Sequence, residues 1–260
     1  MKVVDLTEEH ESEYIVCLED WSDEARESGP KRGCWYESMK AKGLRAKLAM
    51  DDKGVVGGMI QYGPVENTWV DGRGLFFVYC IWVHGHKQGR GNFQKKGMGT
   101  ALLEAAETDA RSRGAKGIAA WGISLPFWMK ASWFKKHGYE VADKNSVAVL
   151  LWKRFSKDAN APKWIKQRKM PVATPGKVTV TSFVNGWCMA QNLVHERAKR
   201  AAAEFGDSVL FREINTSDTD ALREWGMPDA LFIDDTEVST GPPPTYEKIK
   251  KLIMKRVNRL

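Results

Sequence analysis

Apolar and polar positions alternate in two ways along the first 155 residues, with period two in short runs and with helical period between them. Gly74 to Val83 carries the longest apolar run, broken only by Tyr79 and Cys80, and predicts a strand buried on both faces. It is too short to span a bilayer, which takes roughly 20 residues. Leu44 to Met50 and Val55 to Tyr62 predict two strands turned by Asp51-Asp52-Lys53-Gly54, a hairpin signal. Val3 to Leu6 reads as a short strand and Glu8 to Glu27 as a helix with a polar face. From Met98 to Arg113 the residues Leu102, Leu103, Ala106 and Ala110 fall on one helical stripe, closed by Gly114 after the last turn. Gly117 to Ile123 predicts a strand, Pro126 to His137 a helix and Ser146 to Trp152 a last strand. That order is a mixed α/β plan.

Between Ser156 and Gly176 the chain becomes basic and is punctuated by Pro162, Pro171 and Pro175, as linkers are. A second pattern begins after it. Lys177 to Phe183 alternates into a strand; Leu193, Val194, Ala201, Ala202 and Phe205 give a helix stopped by Gly206; Ser208 to Ile214 is another strand. Ser217, with Asp220 three residues on, resembles a capping box for a short helix ending at Gly226. Ala230 to Ile233 and Glu237 to Thr240 read as strands joined through Asp234-Asp235, and a helix from Tyr246 carries Ile249, Leu252, Ile253 and Val257. The predicted organisation is a domain over 1–155, a linker over 156–176 and a smaller domain over 177–260.

Composition narrows the classes. A chain of 260 residues with 43% hydrophobic and 28% charged residues has ample material for the cores of a soluble protein. Cys17, Cys34, Cys80 and Cys188 contain no CxxC pair, so neither a disulfide framework nor a zinc site is expected. Met1-Lys2-Val3-Val4-Asp5 offers no signal-peptide core, and a cytoplasmic location is the expectation. The formal charge of +7 favours an anionic partner. Its basic residues gather at a loop and the linker instead of on a recognition helix, so a phosphate-bearing cofactor is expected before nucleic acid.

The candidate chemistry begins at Gln94-Lys95-Lys96-Gly97-Met98-Gly99-Thr100, between the buried strand and the amphipathic helix. Free N–H groups and the positive dipole end at a helix start attract an anion, and glycines let it approach the backbone. Lys87, Arg90, Lys95 and Lys96 add charge around the loop. This is neither a Walker loop nor a dinucleotide fingerprint. Gln-x-x-Gly-x-Gly after a buried strand, then helix, strand and helix, resembles the GNAT N-acetyltransferase family over Val3 to Phe155. The likeness is strongest from Leu75 to Tyr139, with Lys136-His137-Gly138-Tyr139 where the family often ends a helix in Leu-Gly-Phe. The resemblance implies acetyl-CoA as cofactor, its pyrophosphate on the amides of Lys95 to Thr100, Val83 bonding the pantetheine arm where strands splay apart, and transfer to an amine of a small molecule or peptide.

Two departures stand out. The connection from Val83 to Gln94 is longer than the family's and holds a rival cradle, Gln88-Gly89-Arg90-Gly91, that no helix directly follows. Phe134 occupies the place of the family's tyrosine that protonates the departing thiolate. The long apolar strand holds no carboxylate, so a base must come from loops. His84 is the best placed candidate, ahead of His86, Glu66 and Tyr139, although a loop histidine is more often solvated. Backbone donors near Val83 and His84 could polarise the thioester. Trp69, Trp82, Trp121, Trp128 and Trp133 could line an acceptor tunnel, though core is the commoner role for such residues. Gly33-Cys34-Trp35-Tyr36 lies where the family places acceptor-selecting segments.

The β-α-β-α-β-β-α order of the second half resembles the thioredoxin fold, with Trp187-Cys188 at the nucleophile turn and Met227-Pro228 at the cis-proline. The family's second cysteine position is Gln191, which leaves no resolving thiol, while a helix start still favours a reactive Cys188 thiolate. The two halves together resemble the YoaP-type acetyltransferases. Competing readings are a thiol-based redox or carrier protein using Cys188 and a CoA-binding module without catalysis. No membrane partner is expected, and a homodimer is compatible with this reading.

Overall fold

In the computed structural model, residues 1–125, 129–238 and 242–260 are described. The chain divides into two units, one of Met1–Trp21 with Tyr36–Ile165 and one of Ser22–Trp35 with Lys166–Leu260. In chain order the elements are β1 (Lys2–Asp5), α1 (Glu11–Ile15), α2 (Asp23–Lys40), β2 (Arg45–Met50), β3 (Val56–Pro64), β4 (Val70–Asp71), β5 (Leu75–Val83), α3 (Met98–Ser112), β6 (Gly117–Ile123), α4 (Ala131–Lys136), β7 (Glu140–Asn145), β8 (Ala148–Arg154) and β9 (Lys163–Trp164). They continue with β10 (Val178–Val184), α5 (Met189–Ala203), β11 (Val209–Asn215), α6 (Thr219–Trp225), β12 (Ala230–Ile233), β13 (Thr236–Glu237) and α7 (Tyr246–Val257).

The first unit is built on a seven-stranded sheet of order β1-β2-β3-β5-β6-β8-β7. Its pairings are antiparallel except β5 with β6, which run parallel, as the intervening α3 crossover requires. Leu102, Leu103, Ala106 and Ala110 of α3 are fully buried in a core shared with Ile60, Val78, Ile118 and Leu151 of the sheet. Burying each leucine contributes about 1.5–3 kcal/mol. Trp69, Phe77 and Tyr79 form a second aromatic group at ring separations of 5.2–5.5 Å.

Two irregularities set β5 apart from the other strands. Gln61 faces Cys80 while Tyr62 faces Val78, so Tyr79 is an extra residue, a β-bulge. Side-chain parity therefore changes. Phe76 and Val78 pack on the α3 core before the bulge, and Ile81 and Val83 do so after it. The second irregularity is a parting of the sheet. β5 pairs with β6 only from Leu75↔Gly117 to Val78↔Ala120, while each strand keeps its other neighbour to its end. Beyond Val78 the β6-facing edge of β5 has no strand partner among the described residues; there Trp121 donates its Nε1–H to the Tyr79 carbonyl at 2.8 Å.

Several expectations change. The helix read over Glu8 to Glu27 is broken: α1 ends at Ile15, the chain turns through Cys17 and Leu18 at φ +54° and +63°, and α2 runs on to Lys40 across Pro30. Gly33-Cys34-Trp35-Tyr36 is helical, not loop, with Cys34 exposed. β7 leaves no apolar signal because four of its six residues are polar and most are exposed, as suits an edge strand. The stretch read as linker contains β9, which pairs with β4. The described part of the helix read from Pro126 is α4, and Trp128 lies outside the described residues, as do Thr240 and the end of the strand read from Glu237.

In the second unit the sheet order is β11-β10-β12-β13, with β10 parallel to β11 and antiparallel to β12. Val194, Ala198 and Ala201 of α5 and Ile249 and Ile253 of α7 share a buried cluster with Val178, Val180, Leu231 and Ile233. The cap of α6 is Asp218, whose carboxylate accepts from Asp220 N–H and Ala221 N–H at 2.9 Å, and not Ser217, which bonds Asn215. No cis peptide bond occurs among the described residues, so Met227–Pro228 is trans.

Candidate active site

A cavity of about 420 Å³ opens in the first unit between the end of β5 and the start of α3. Ile81, Trp82 and Val83 form one wall, Gln94, Lys95 and Gly97 to Thr100 a second, and Met129, Lys130, Trp133 and Phe134 a third, with Phe93 at the base. The parted strands thus supply a backbone edge with no strand alongside it among the described residues, and the helix start supplies free amides.

The helix start is shaped by two left-handed residues, Lys95 at φ +62° and Gly97 at φ +83°. Gly97 is the N-cap, has no side chain to occupy the following amides, and a Cβ there would meet no atom within 4 Å. The space over the Met98, Gly99 and Thr100 amides is open to an anion. Thr100 Oγ1 lies 3.0 Å from His137 Nε2, whose Nδ1 bonds the Trp133 carbonyl at 2.8 Å. The third wall reaches the cavity because Ile123 N–H donates to Met129 O at 2.7 Å and Lys130 bridges Ile123. That approach needs Gly122, where a Cβ would stand 2.8 Å from the Ala131 backbone.

The long connection is tied down from inside. His84 is fully buried. Its Nδ1 bonds Gly91 O at 2.7 Å and its Nε2 accepts from Trp21 Nε1–H at 3.4 Å, while its backbone N–H donates to Gly57 O at 2.9 Å. Nδ1 must carry the proton to bond a carbonyl, so both ring nitrogens are engaged. His84 is placed as the loop's anchor, outside the cavity lining, and neither its ring nor its N–H is offered to a thioester. Arg90 does similar work: it reaches Glu13 at 2.8 Å, Asp20 at 3.1 Å and Val56 O at 3.4 Å, and its charge is neutralised inside the fold. The rival cradle is therefore a structural loop.

The other sequence candidates separate. Val83, Gln94, Lys95, Gly97, Met98, Gly99 and Thr100 line the cavity together; Lys96 instead lies over the Phe93 ring at 5.1 Å. Gln94 Nε2 reaches the Val83 carbonyl at 3.4 Å. Tyr139 is core, its ring 5.4 Å from Phe134, and burial with the Glu107 carboxylate nearby pushes its hydroxyl well above the usual range. Glu66 accepts from Gly74 N–H at 2.9 Å. Trp82 and Trp133 line the cavity, whereas Trp69 belongs to the aromatic group of the sheet. Cys188 belongs to the second unit, half-buried at the N-cap of α5. Ile81, Phe93, Met129 and Lys130 are the lining residues that sequence reasoning missed; the turn at Met129, φ +53°, left no compositional signal.

Among the described residues no group of three or more His, Cys, Asp or Glu side chains is placed to hold a metal ion, and no helix is long and apolar enough to cross a membrane. No curated protein matches the chain. Among solved structures it is similar to a GNAT family acetyltransferase from Brucella melitensis in complex with acetyl-CoA, at 18% identity over 61% of this chain and 90% of that one, TM-score 0.41. It is also similar to the PaiA N-acetyltransferase of Thermoplasma acidophilum in complex with coenzyme A (17%, 60% and 100%, TM-score 0.44). A third is the GNAT family N-acetyltransferase YhbS of Escherichia coli in complex with CoA (12%, 63% and 88%, TM-score 0.45). The family model for GNAT acetyltransferases matches residues 4–139, just over half of the sequence, and the chain belongs to that family.

Proposed function

We propose that the protein transfers the acetyl group of acetyl-CoA to an amine of a small molecule or peptide. The observation that carries this reading is a single cavity bounded both by the end of β5, where β6 has parted from it, and by the open helix start at Gly97. Acetyl-CoA fits these groups. Met98, Gly99 and Thr100 would hold its pyrophosphate through their amides, with Lys95 beside them, and the β5 edge at Ile81 to Val83 would take the amides of the pantetheine arm. When bound, it supplies an acetyl thioester.

The chain's own residues then bind, orient and exclude water. Phe93, Phe134 and Trp133 make the wall apolar, which strengthens hydrogen bonds to the acyl group. Phe134 has no proton to give and Tyr139 is buried in the core, so the thiolate leaves without a dedicated phenol. A free thiol titrates at about 8.5, far below an alcohol, so the thiolate is a good leaving group without a dedicated acid. The test is to mix the protein with acetyl-CoA and a panel of amines, amino acids and short peptides and to follow free CoA. Amine-dependent release is expected. Binding of acetyl-CoA without release by any acceptor would favour a CoA-binding module instead.

For the second unit we read a thioredoxin-like domain, as in YoaP-type chains, supported by its strand order and by Cys188 at the start of α5. A thiol at a helix start is favoured as thiolate. Faster alkylation by iodoacetamide than at Cys34, lost in Cys188→Ser, is the expected result; equal rates would remove the thiol role.

A further inference from the structure

Beside the cavity, the first unit carries a polar cluster centred on Glu19 and His86, neither of which lines the cavity. The chain reaches it through the turn at Cys17 and Leu18, both left-handed, a conformation that side-chain-bearing residues adopt at a cost and that clusters at functional sites. Leu18, fully buried, fixes the turn. Glu19 follows with its side chain only 21% exposed, 3.8 Å from His86 Nε2. The His86 ring lies 6.0 Å from Trp21, 6.2 Å from Trp82 and 5.4 Å from His84. Trp82 is also a wall of the cavity, and its buried Nε1 has no hydrogen-bond partner among the described residues.

The distribution of charge singles out Glu19. The neighbouring acids Glu13 and Asp20 are both compensated by Arg90. Among the described residues the charge partners of Glu19 are the imidazoles of His86 and His84, which are not permanent cations. Burial raises its carboxyl above the usual range, against the opposing pull of His86 and His84. A part-buried carboxylate with no fixed counter-charge, beside an imidazole that two indole rings flank, has the chemistry that receives an ammonium group on an apolar body.

We infer that Glu19, His86, Trp21 and Trp82 form the acceptor subsite, and that the acceptor arrives as a primary ammonium ion carried on an aromatic or alkyl body. The inference rests on the proposed acetyl transfer for its meaning, but not for its test. Glu19 is the counter-ion, the two indoles hold the body, and Trp82 places the bound amine beside the wall that the thioester would share. Acceptors with a carboxylate next to the amine meet Glu19 with like charge and are disfavoured.

The test titrates phenethylammonium into the full-length protein, followed by tryptophan fluorescence, with phenylacetate as the same body carrying the opposite charge. Binding of CoA is measured separately. Saturable binding of phenethylammonium and none of phenylacetate are expected. Glu19→Gln should weaken the amine about tenfold and leave CoA affinity unchanged. Equal binding of the two probes, or an amine affinity untouched by Glu19→Gln, overturns the inference. If Glu19→Gln fails to fold, the pair of probes on the wild-type protein still decides. Loss of CoA binding with amine binding intact sinks the proposed function alone; CoA binding without amine binding sinks the subsite alone.

Discussion

Thr100 Oγ1 and His137 Nε2, 3.0 Å apart, tie the first turn of α3 to the end of α4 and so couple two walls of the cavity. Because His137 Nδ1 donates to the Trp133 carbonyl, Nε2 of the neutral ring accepts the Thr100 proton, which fixes the hydroxyl's direction. Thr100→Val keeps the shape and loses the bond, worth about 1 kcal/mol, so the dissociation constant for CoA should rise about fivefold. His137→Ala should act similarly, and the double variant should be little worse than either single one. Calorimetric titration of CoA into the three variants checks this; fully additive losses would mean that the pair does not act together.

Gly97 is the position where a single methyl group separates fold from ligand. At φ +83° an alanine costs about 1–2 kcal/mol in stability, with no clash to add to it. Gly97→Glu puts a carboxylate into the open space and should abolish CoA binding while the protein remains folded. Thermal unfolding together with CoA titration separates the two effects.

Arg90 is almost enclosed, with three partners: Glu13 on α1, Asp20 in the turn after it and Val56 on β3. Arg90→Ala removes three hydrogen bonds from the loop, while solvent reaches Asp20 and His10 still bonds Glu13, so it should cost about 1–3 kcal/mol, with rapid proteolysis between 85 and 92. Arg90→Lys should recover only part of it, because one ammonium group cannot reproduce a fork that reaches three acceptors. Urea unfolding and limited proteolysis give both readings; full rescue by lysine would refute the anchoring role.

The second unit carries two buried groups whose titrations oppose each other. Burial pushes the Asp229 carboxyl up to about 6, despite bonds from Asn185 N–H at 3.0 Å and Trp187 Nε1–H at 2.7 Å. Its native state therefore holds a proton that the unfolded chain has lost, so its contribution to stability is present below about pH 4 and disappears as pH rises through about 6, at most roughly 3 kcal/mol. His195 is shifted the other way: burial first and Lys31 second hold it below its usual value, so stability falls as pH drops below about 6.5. The two slopes offset each other between pH 4 and 6. Asp229→Asn should uncover the His195 slope, giving a steeper loss of stability on acidification than the wild type shows in urea unfolding at pH 4.5 and 7. An unchanged slope would show that Asp229 does not titrate in that window.

The helix α3 was legible almost to the residue because its stripe of Leu102, Leu103, Ala106 and Ala110 is apolar and Gly114 marks its end. The helix α2 was not. Its buried stripe runs through Ala25, Ser28, Gly29, Arg32, Trp35 and Met39, so small and polar residues hide the period, and Pro30 reads as a stop. The cradle was legible for the same reason as α3, since glycines at a helix start are a local signal. The role of His84 depends on a partner far along the chain, since Trp21 is 63 residues away, and Lys130 enters the site by a non-periodic return to Ile123. Such closures leave no local periodicity to read.

The bulge at Tyr79 makes β5 a strand whose message depends on its count of residues as well as on their kinds. A side chain's face is set by odd or even position, so one inserted residue works like a frameshift written in geometry. Upstream of it the even-numbered Phe76 and Val78 face the α3 core; downstream the odd-numbered Ile81 and Val83 do, and these also wall the cavity. Deleting Tyr79 would restore plain alternation and keep Ile81 and Val83 on the face of Phe76 and Val78, but it would remove the ring that packs with Trp69 and Phe77 and the carbonyl that receives the Trp121 N–H. Deleting a residue on either side of the bulge would instead swap the faces of everything beyond it.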